Sequence, residues 1–202
     1  MRQTSSTTRG RPSTLDQDEV LRVSLMQYWA HDPLAVSIND ICNLTGASKP
    51  GIYRAFGNDD GLKSKVLDVY QELAIAPLLG IFAARRTFDV TVEAVITFMM
   101  QDREALGLPN GCLYVTMRSQ QHRLGPKTVE KLDLLREQFQ KGISDWVADA
   151  KTKGQIEKNV PTNVATLFID AQHAGAMRMQ KEDVHTEQIK SFLRFGFAAL
   201  RS

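Results

Sequence analysis

A hydroxyl, an amine, a phenol and a guanidinium fall within seven residues, Ser48-Lys49-Pro50-Gly51-Ile52-Tyr53-Arg54. Lys49 and Arg54 can meet phosphates or base edges, and Tyr53 can reach a phosphate oxygen. Gly51 lets the backbone approach closely, and Ile52 and Phe56 are the inward side of the same short helix. This is nucleic-acid chemistry. The net charge of +2 decides nothing about such a partner, and residues 1–70 hold eight Lys/Arg against eight Asp/Glu. Local clustering carries the reading instead. Residues 41–57 contain Lys49 and Arg54 and no acid, and residues 1–12 contain Arg2, Arg9 and Arg11 and no acid.

Other chemistries find no support. There is no Gly-x-Ser-x-Gly elbow, no phosphate-cradling loop and no metal-ligand spacing. His122 and His173 have no partner four residues away, so neither reads as a metal ligand. Two cysteines are too few for a disulfide framework; Cys42 reads as a buried packing thiol. No enzyme activity, cofactor or metal is expected. A helical enzyme, detectable by turnover of any compound, is the competing class.

These residues need elements to hold them. Helix 1 is expected from about Asp16 to His31, with Val20, Val23, Ser24 and Tyr28 on one face, ended by Asp32-Pro33. Ser37 opens a short helix with Asp40 in a capping-box pair, and Ile38, Ile41 and Leu44 as its inner face. Thr45-Gly46 turns the chain, Ser48 caps the next helix, and Pro50 sits harmlessly in its first turn. Two short helices across a glycine turn can place the second in a major groove. Asn58 caps a fourth helix, about 59–76, ended by Pro77. Further helices are expected at about 88–105, from Cys112 to Gly125-Pro126, and at about 126–153, 162–180 and 184–201. The fold class is all-α with about nine helices. A basic arm (1–13) precedes a three-helix helix-turn-helix unit (14–58) and a larger helical domain (59–202), with the fourth helix as connector.

The run from Gly10-Arg11-Pro12 through Ser37-Ile38-Asn39-Asp40-Ile41 and Thr45-Gly46 to Phe56-Gly57, and on to Leu62 and Val66-Leu67, closely resembles the N-terminal domain of the tetracycline-repressor (TetR) family of regulators. The resemblance spans about residues 10–70; beyond that the chain matches only in helix count and length. It implies a homodimer on a palindromic double-stranded operator, and a C-terminal pocket whose small-molecule effector releases DNA. By position it implies Ser37, Ser48, Lys49, Gly51, Tyr53 and Arg54 as DNA-facing. Arg9 and Arg11 resemble a minor-groove arm, although a solvated tail is the plain alternative. Many members carry a lysine at the start of helix 4; this chain has Asn58-Asp59-Asp60, and Lys63 is the substitute.

Phe98, Tyr114, Met117, Trp146, Phe168 and Met177 are candidates to line the effector pocket, within a wider methionine set that includes Met99, Met100 and Met179. Ala171, Ala174 and Gly175 on the penultimate helix, with Ile189, Phe192, Leu193 and Phe197 on the last, are candidates for the dimer interface. Cys112 opens a helix, where the dipole would lower a thiol pKa. Some members with Gly-Cys-Leu at this place sense oxidants or electrophiles through the cysteine. Two alternatives therefore stand: a thiol-sensing regulator, and a ligand-independent architectural or division-related DNA-binding protein. No apolar run suggests a membrane span and the polar N-terminus is no secretory signal, so cytoplasm is expected.

Overall fold

Side-chain acceptors set the starts of the first four helices. The computed structural model describes residues 15–201. Asp16 accepts the Glu19 N–H at 3.0 Å and begins α1 (Gln17–Ala30). α2 (Ile38–Thr45) opens on a reciprocal box: Ser37 Oγ accepts the Asp40 N–H at 3.2 Å, and the Asp40 carboxylate accepts the Ser37 N–H at 2.8 Å. Gly46 stops it at φ 69°, a left-handed conformation that favours glycine. α3 (Lys49–Phe56) starts where Ser48 Oγ accepts the Gly51 N–H at 3.2 Å. Leu44, expected inside, is 55% exposed. Ile38 and Ile41 are buried, and Thr45, seven residues after Ile38, completes their face rather than Leu44.

Asn58 Oδ1 accepts the Gly61 N–H at 2.8 Å and begins α4, which runs Asp59–Ala83. Its expected end at 76 is overturned. Gln71–Ile75 is wound as a π-helix, with the Ala76 N–H reaching back to the Gln71 carbonyl. This shift of partners comes one residue before Pro77, where a regular ladder would lack a donor, so the proline is absorbed instead of ending the helix. Five helices follow: α5 (Phe88–Met99), α6 (Leu113–Ser119), α7 (Pro126–Thr152), α8 (Thr162–Lys181) and α9 (Thr186–Ala198). α5 stops short of its expected end at 105 because Asp102 Oδ1 captures the Ala105 N–H at 3.0 Å and turns the chain. The protein is all-α, with nine helices and no strand among the described residues.

By length and composition α4 contains a window apolar enough to cross a membrane, which the sequence reading did not anticipate. Asp68 and Glu72 interrupt that window. Val66, Leu67, Tyr70, Ile75, Leu78 and Phe82 are buried inside the protein, where α4 packs against α1 and α7. These six residues form one buried stripe, a third of the window, along the side of α4 that meets its neighbours.

α7, the longest helix, has no cap of its own, since Gly125 stands at its N-cap. The cap comes from α4. Asp60 accepts the Lys127 N–H at 2.9 Å, the Thr128 N–H at 2.9 Å and the Thr128 hydroxyl at 2.7 Å. A Cβ on Gly125 would lie 2.3 Å from Asp60 Cγ, so only glycine admits the carboxylate. Burial alone would raise the Asp60 pKa, but the hydrogen bonds from Thr128 and Lys127 outweigh it and hold the carboxyl below its usual range. This accounts for an acid at a place where the resemblance led us to expect lysine. Asp60→Ala should lower stability by about 1 kcal/mol at pH 7, the typical worth of an N-cap. A depressed folded pKa stabilises above the unfolded value of about 4 and is lost as pH falls through the folded one. The gap between wild type and variant in urea unfolding should therefore close below pH 4.

Candidate nucleic-acid interface

α3 is short and held from beneath. Ile52 is fully buried and Phe56 nearly so, which fixes the rotation of the helix. Ser48, Lys49, Pro50, Tyr53 and Arg54 are left exposed. The Lys49 ammonium stands 5.8 Å from the centroid of the Tyr53 ring, so amine and phenol form one unit. Arg54 lies about 140° round the helix from Lys49, on the flank facing the first turn of α1, where it edges a groove with Leu15, Asp16 and Glu19. Among the described residues neither Lys49 nor Arg54 has an ion-pair partner. Both charges are therefore available to phosphates. Gly51 has an internal reason to be glycine: a Cβ there would sit 3.0 Å from the capping Ser48 Oγ. Ser48 Oγ accepts in this cap and keeps its own proton to donate outward.

The remaining predicted contacts divide. Ser37 is exposed at the start of α2, but its hydroxyl already donates to Asp40 at 2.7 Å. Arg9 and Arg11 lie outside the described residues. Lys63 is not at the surface: it is 4% exposed, its ammonium is paired with Asp59, and it stands 5.0 Å from the Tyr28 ring centroid. Packing of α4 on α1 draws the lysine stem inward, so it is no substitute for a surface lysine.

Behind α3 the reading helices are tied to the rest of the chain through one tryptophan. Trp29 of α1 is 1% exposed, and its indole N–H donates to the Gly111 carbonyl at 3.2 Å. Its ring meets Tyr70 of α4 edge-on, centroids 4.9 Å apart. Gly111 in turn donates its N–H to Gln180 of α8 at 3.0 Å. At φ 80°, with the Met177 carbonyl 3.2 Å from where a Cβ would be, Gly111 admits no side chain. The Tyr70 hydroxyl donates to Cys112 Sγ at 3.0 Å. Burial pushes the Cys112 thiol up, against the opposing Tyr70 hydrogen bond, the Val115 N–H and the Arg103 charge, so the expected lowering by the helix start does not prevail.

No family model matches the chain. The HTH-type transcriptional repressor ComR of Escherichia coli (strain K12) is 38% identical over 185 residues, covering 90% of this chain and 87% of ComR. The chain belongs to the TetR family of transcriptional regulators. A TetR-family regulator from Agrobacterium tumefaciens superposes with TM-score 0.79 at 15% identity, over 92% of this chain and 97% of that one. The TetR-family regulator CifR, solved as a cysteine mutant complexed with 26-bp double-strand operator DNA, matches with TM-score 0.78 at 17% identity, over 95% of this chain and 100% of that one. The fold is thus that of DNA-binding transcriptional regulators.

In this TetR-family chain the helices behind the reading head close around a void of about 10 Å³, the room of one water molecule. None of the six candidate pocket residues lines it. Tyr114, Met117, Trp146 and Met177 are buried in packing contacts, Trp146 against Phe82, Phe88 and Phe197, and Phe98 and Phe168 are half-buried. The void is lined by Phe82, Met99, Phe139, Ile169 and Leu193, with His173 among them. Periodicity marks which residues turn inward, but not where packing falls short. The dimer candidates also divide. Ile189, Leu193 and Phe197 are at most 3% exposed, so they serve their own subunit's core and are removed from any interface. Ala171 is exposed, and Ala174, Gly175 and Phe192 are half-buried. Among the described residues the most exposed large apolar side chain is Phe195, at 82%, with Leu167 and Val164 also exposed on α8.

Lys49→Ala should weaken binding to a DNA target by about 1–3 kcal/mol if the amine reads a base, and lower the salt slope by about one if it meets a phosphate. Fluorescence anisotropy across a salt series measures both. An unchanged affinity and slope in Lys49→Ala/Tyr53→Ala would remove α3 from the interface.

Proposed function

We propose that the protein is a repressor that binds a palindromic operator as a homodimer and is released from it by a small molecule held in its C-terminal helices. Residues 14–58 are the reading unit and 59–202 the effector and assembly unit. The observation that carries this reading is the outward face of α3: Lys49 and Arg54, without an ion-pair partner among the described residues, and exposed Tyr53, on a helix locked by Ile52 and Phe56. The names of the relatives support it, ComR being a repressor and CifR having been solved on operator DNA. Such a regulator acts in the cytoplasm, where the DNA is.

Dimerisation is supported by the exposed Phe195 and Leu167, which a monomer would leave in water. Release is supported by the Trp29–Gly111–Gln180 connection, through which a shift of α8 reaches α1. An effector needs only to favour the displaced arrangement, with coupling of about 1–3 kcal/mol. A second reading, in which Cys112 senses oxidants or electrophiles, is supported by its contact with Tyr70: modifying the sulfur would break that hydrogen bond beside Trp29.

Selection from random duplexes should return an inverted repeat with half-site centres about 34–36 Å apart or a multiple of that. A non-repeated site, bound one chain per duplex, would refute the palindromic dimer. Phe195→Glu should yield a folded monomer at micromolar concentration by sedimentation equilibrium, because the side chain supports no part of the subunit's own core. A dimer of wild-type stability in that variant would place the interface elsewhere.

A further inference from the structure

Gln180, in the last turn of α8, holds both ends of the segment that joins α5 to α6. Its Oε1 accepts the Gly111 N–H at 3.0 Å, and its Nε2 donates to the Met99 carbonyl at 3.4 Å. A peptide N–H only donates and a carbonyl only accepts, so a single orientation of the amide serves both. The segment closed in this way is folded on itself. The Asp102 carboxylate accepts the Ala105 N–H at 3.0 Å, the Glu104 carbonyl accepts the Gly107 N–H at 2.9 Å, and the Arg103 carbonyl accepts the Leu108 N–H at 2.8 Å. A loop with joined ends and its own internal bonds is compact and moves as one piece.

The segment grips Trp29 twice. At its far end Gly111 supplies the carbonyl that accepts the indole N–H at 3.2 Å. Near its start Arg103, 7% exposed, places the central carbon of its guanidinium 5.2 Å from the indole ring centroid. A cation largely removed from water is drawn to an indole face. Trp29 is the next-to-last residue of α1, and α1 packs on α2 and α2 on α3. The seat of the indole therefore sets the tilt of α1, and with it where α3 stands.

We propose that Gln180 is a positioning residue for DNA recognition: it closes residues 100–110 into a clasp on Trp29, and the clasp fixes how the reading head stands on the C-terminal helices. The inference rests on the reading of α3 as the DNA-facing helix. With the amide gone, the ends of the segment separate, Gly111 and Arg103 no longer hold the indole together, and α3 meets DNA from a spread of orientations. Affinity then falls because fewer molecules stand ready to bind, although no contact with DNA is lost.

Gln180→Met, similar in length and unable to make either bond, tests this in a Trp146→Phe background, where Trp29 is the one remaining tryptophan. The readouts are acrylamide quenching of Trp29 fluorescence, and anisotropy with a duplex selected by the wild-type chain. Quenching should rise about twofold or more as local opening admits solvent to the indole. Binding should weaken about fivefold or more, the low end of coupling between distant sites, at an unchanged salt slope because no phosphate contact is removed. Arg103→Met, which strips the cation from the ring, should move both readouts the same way. The double variant should weaken binding by less than the product of the single effects, because both act through one clasp. Arg103→Met also carries the test if Gln180→Met does not fold. Unchanged quenching refutes the clasp. Raised quenching with unchanged affinity, or single effects that multiply in the double variant, refutes the positioning role. A wild-type chain that selects no duplex refutes the DNA-facing reading of α3 instead, and quenching alone then decides the clasp.

Discussion

The Trp29 indole N–H must find an acceptor out of water, and the carbonyl it finds belongs to Gly111, on the far side of the seam between the reading helices and the rest of the chain. That one hydrogen bond constrains a good deal. It requires a residue at Gly111 that tolerates a positive φ and the close approach of α8. It seats the ring against Tyr70, and Tyr70 against Cys112. Truncating a buried tryptophan typically costs about 3–5 kcal/mol. Set against a net stability of about 5–15 kcal/mol, that is enough to keep the head from moving independently of the core.

Asp60 makes a second tie by capping α7 from the first turn of α4. The two ties differ in kind. The Asp60 contact is electrostatic and at the edge; it fixes where α4 begins. The Trp29 contact is buried and apolar apart from one hydrogen bond, and it joins α1 to α8 through Gly111. A ligand among the C-terminal helices that shifts α8 must therefore also shift α1, or break the contact between them.

The reading head was legible in the sequence because its determinants are local. Ser37 with Asp40, Gly46, and Ser48 with Gly51 act within three or four residues, and each performs the expected capping or turning role. α4 was misjudged at Pro77 because a π turn beside it is invisible to a 3.6-residue period. Lys63 was misplaced because its exposure depends on α1, which no spacing within α4 reports. Ile189, Leu193 and Phe197 lie on a helix greasy on two faces, and sequence alone does not say which face turns home. Exposure separates them from Phe195. Phe82, Phe139 and Leu193, which border the void, come from α4, α7 and α9, and their convergence is tertiary.

The central claim is that the reading helices and the C-terminal helices form one cooperative unit joined at Trp29. The chain contains two tryptophans, Trp29 and Trp146, so Trp146→Phe leaves Trp29 as the sole indole reporter at an intact seam. Urea unfolding of this variant, followed by Trp29 fluorescence and by far-ultraviolet circular dichroism, tests the claim most directly. The account predicts coincident transitions with a single midpoint. A Trp29 signal that unfolds at lower urea while the helical signal of the remaining chain persists would show the head to be an independent unit and contradict it.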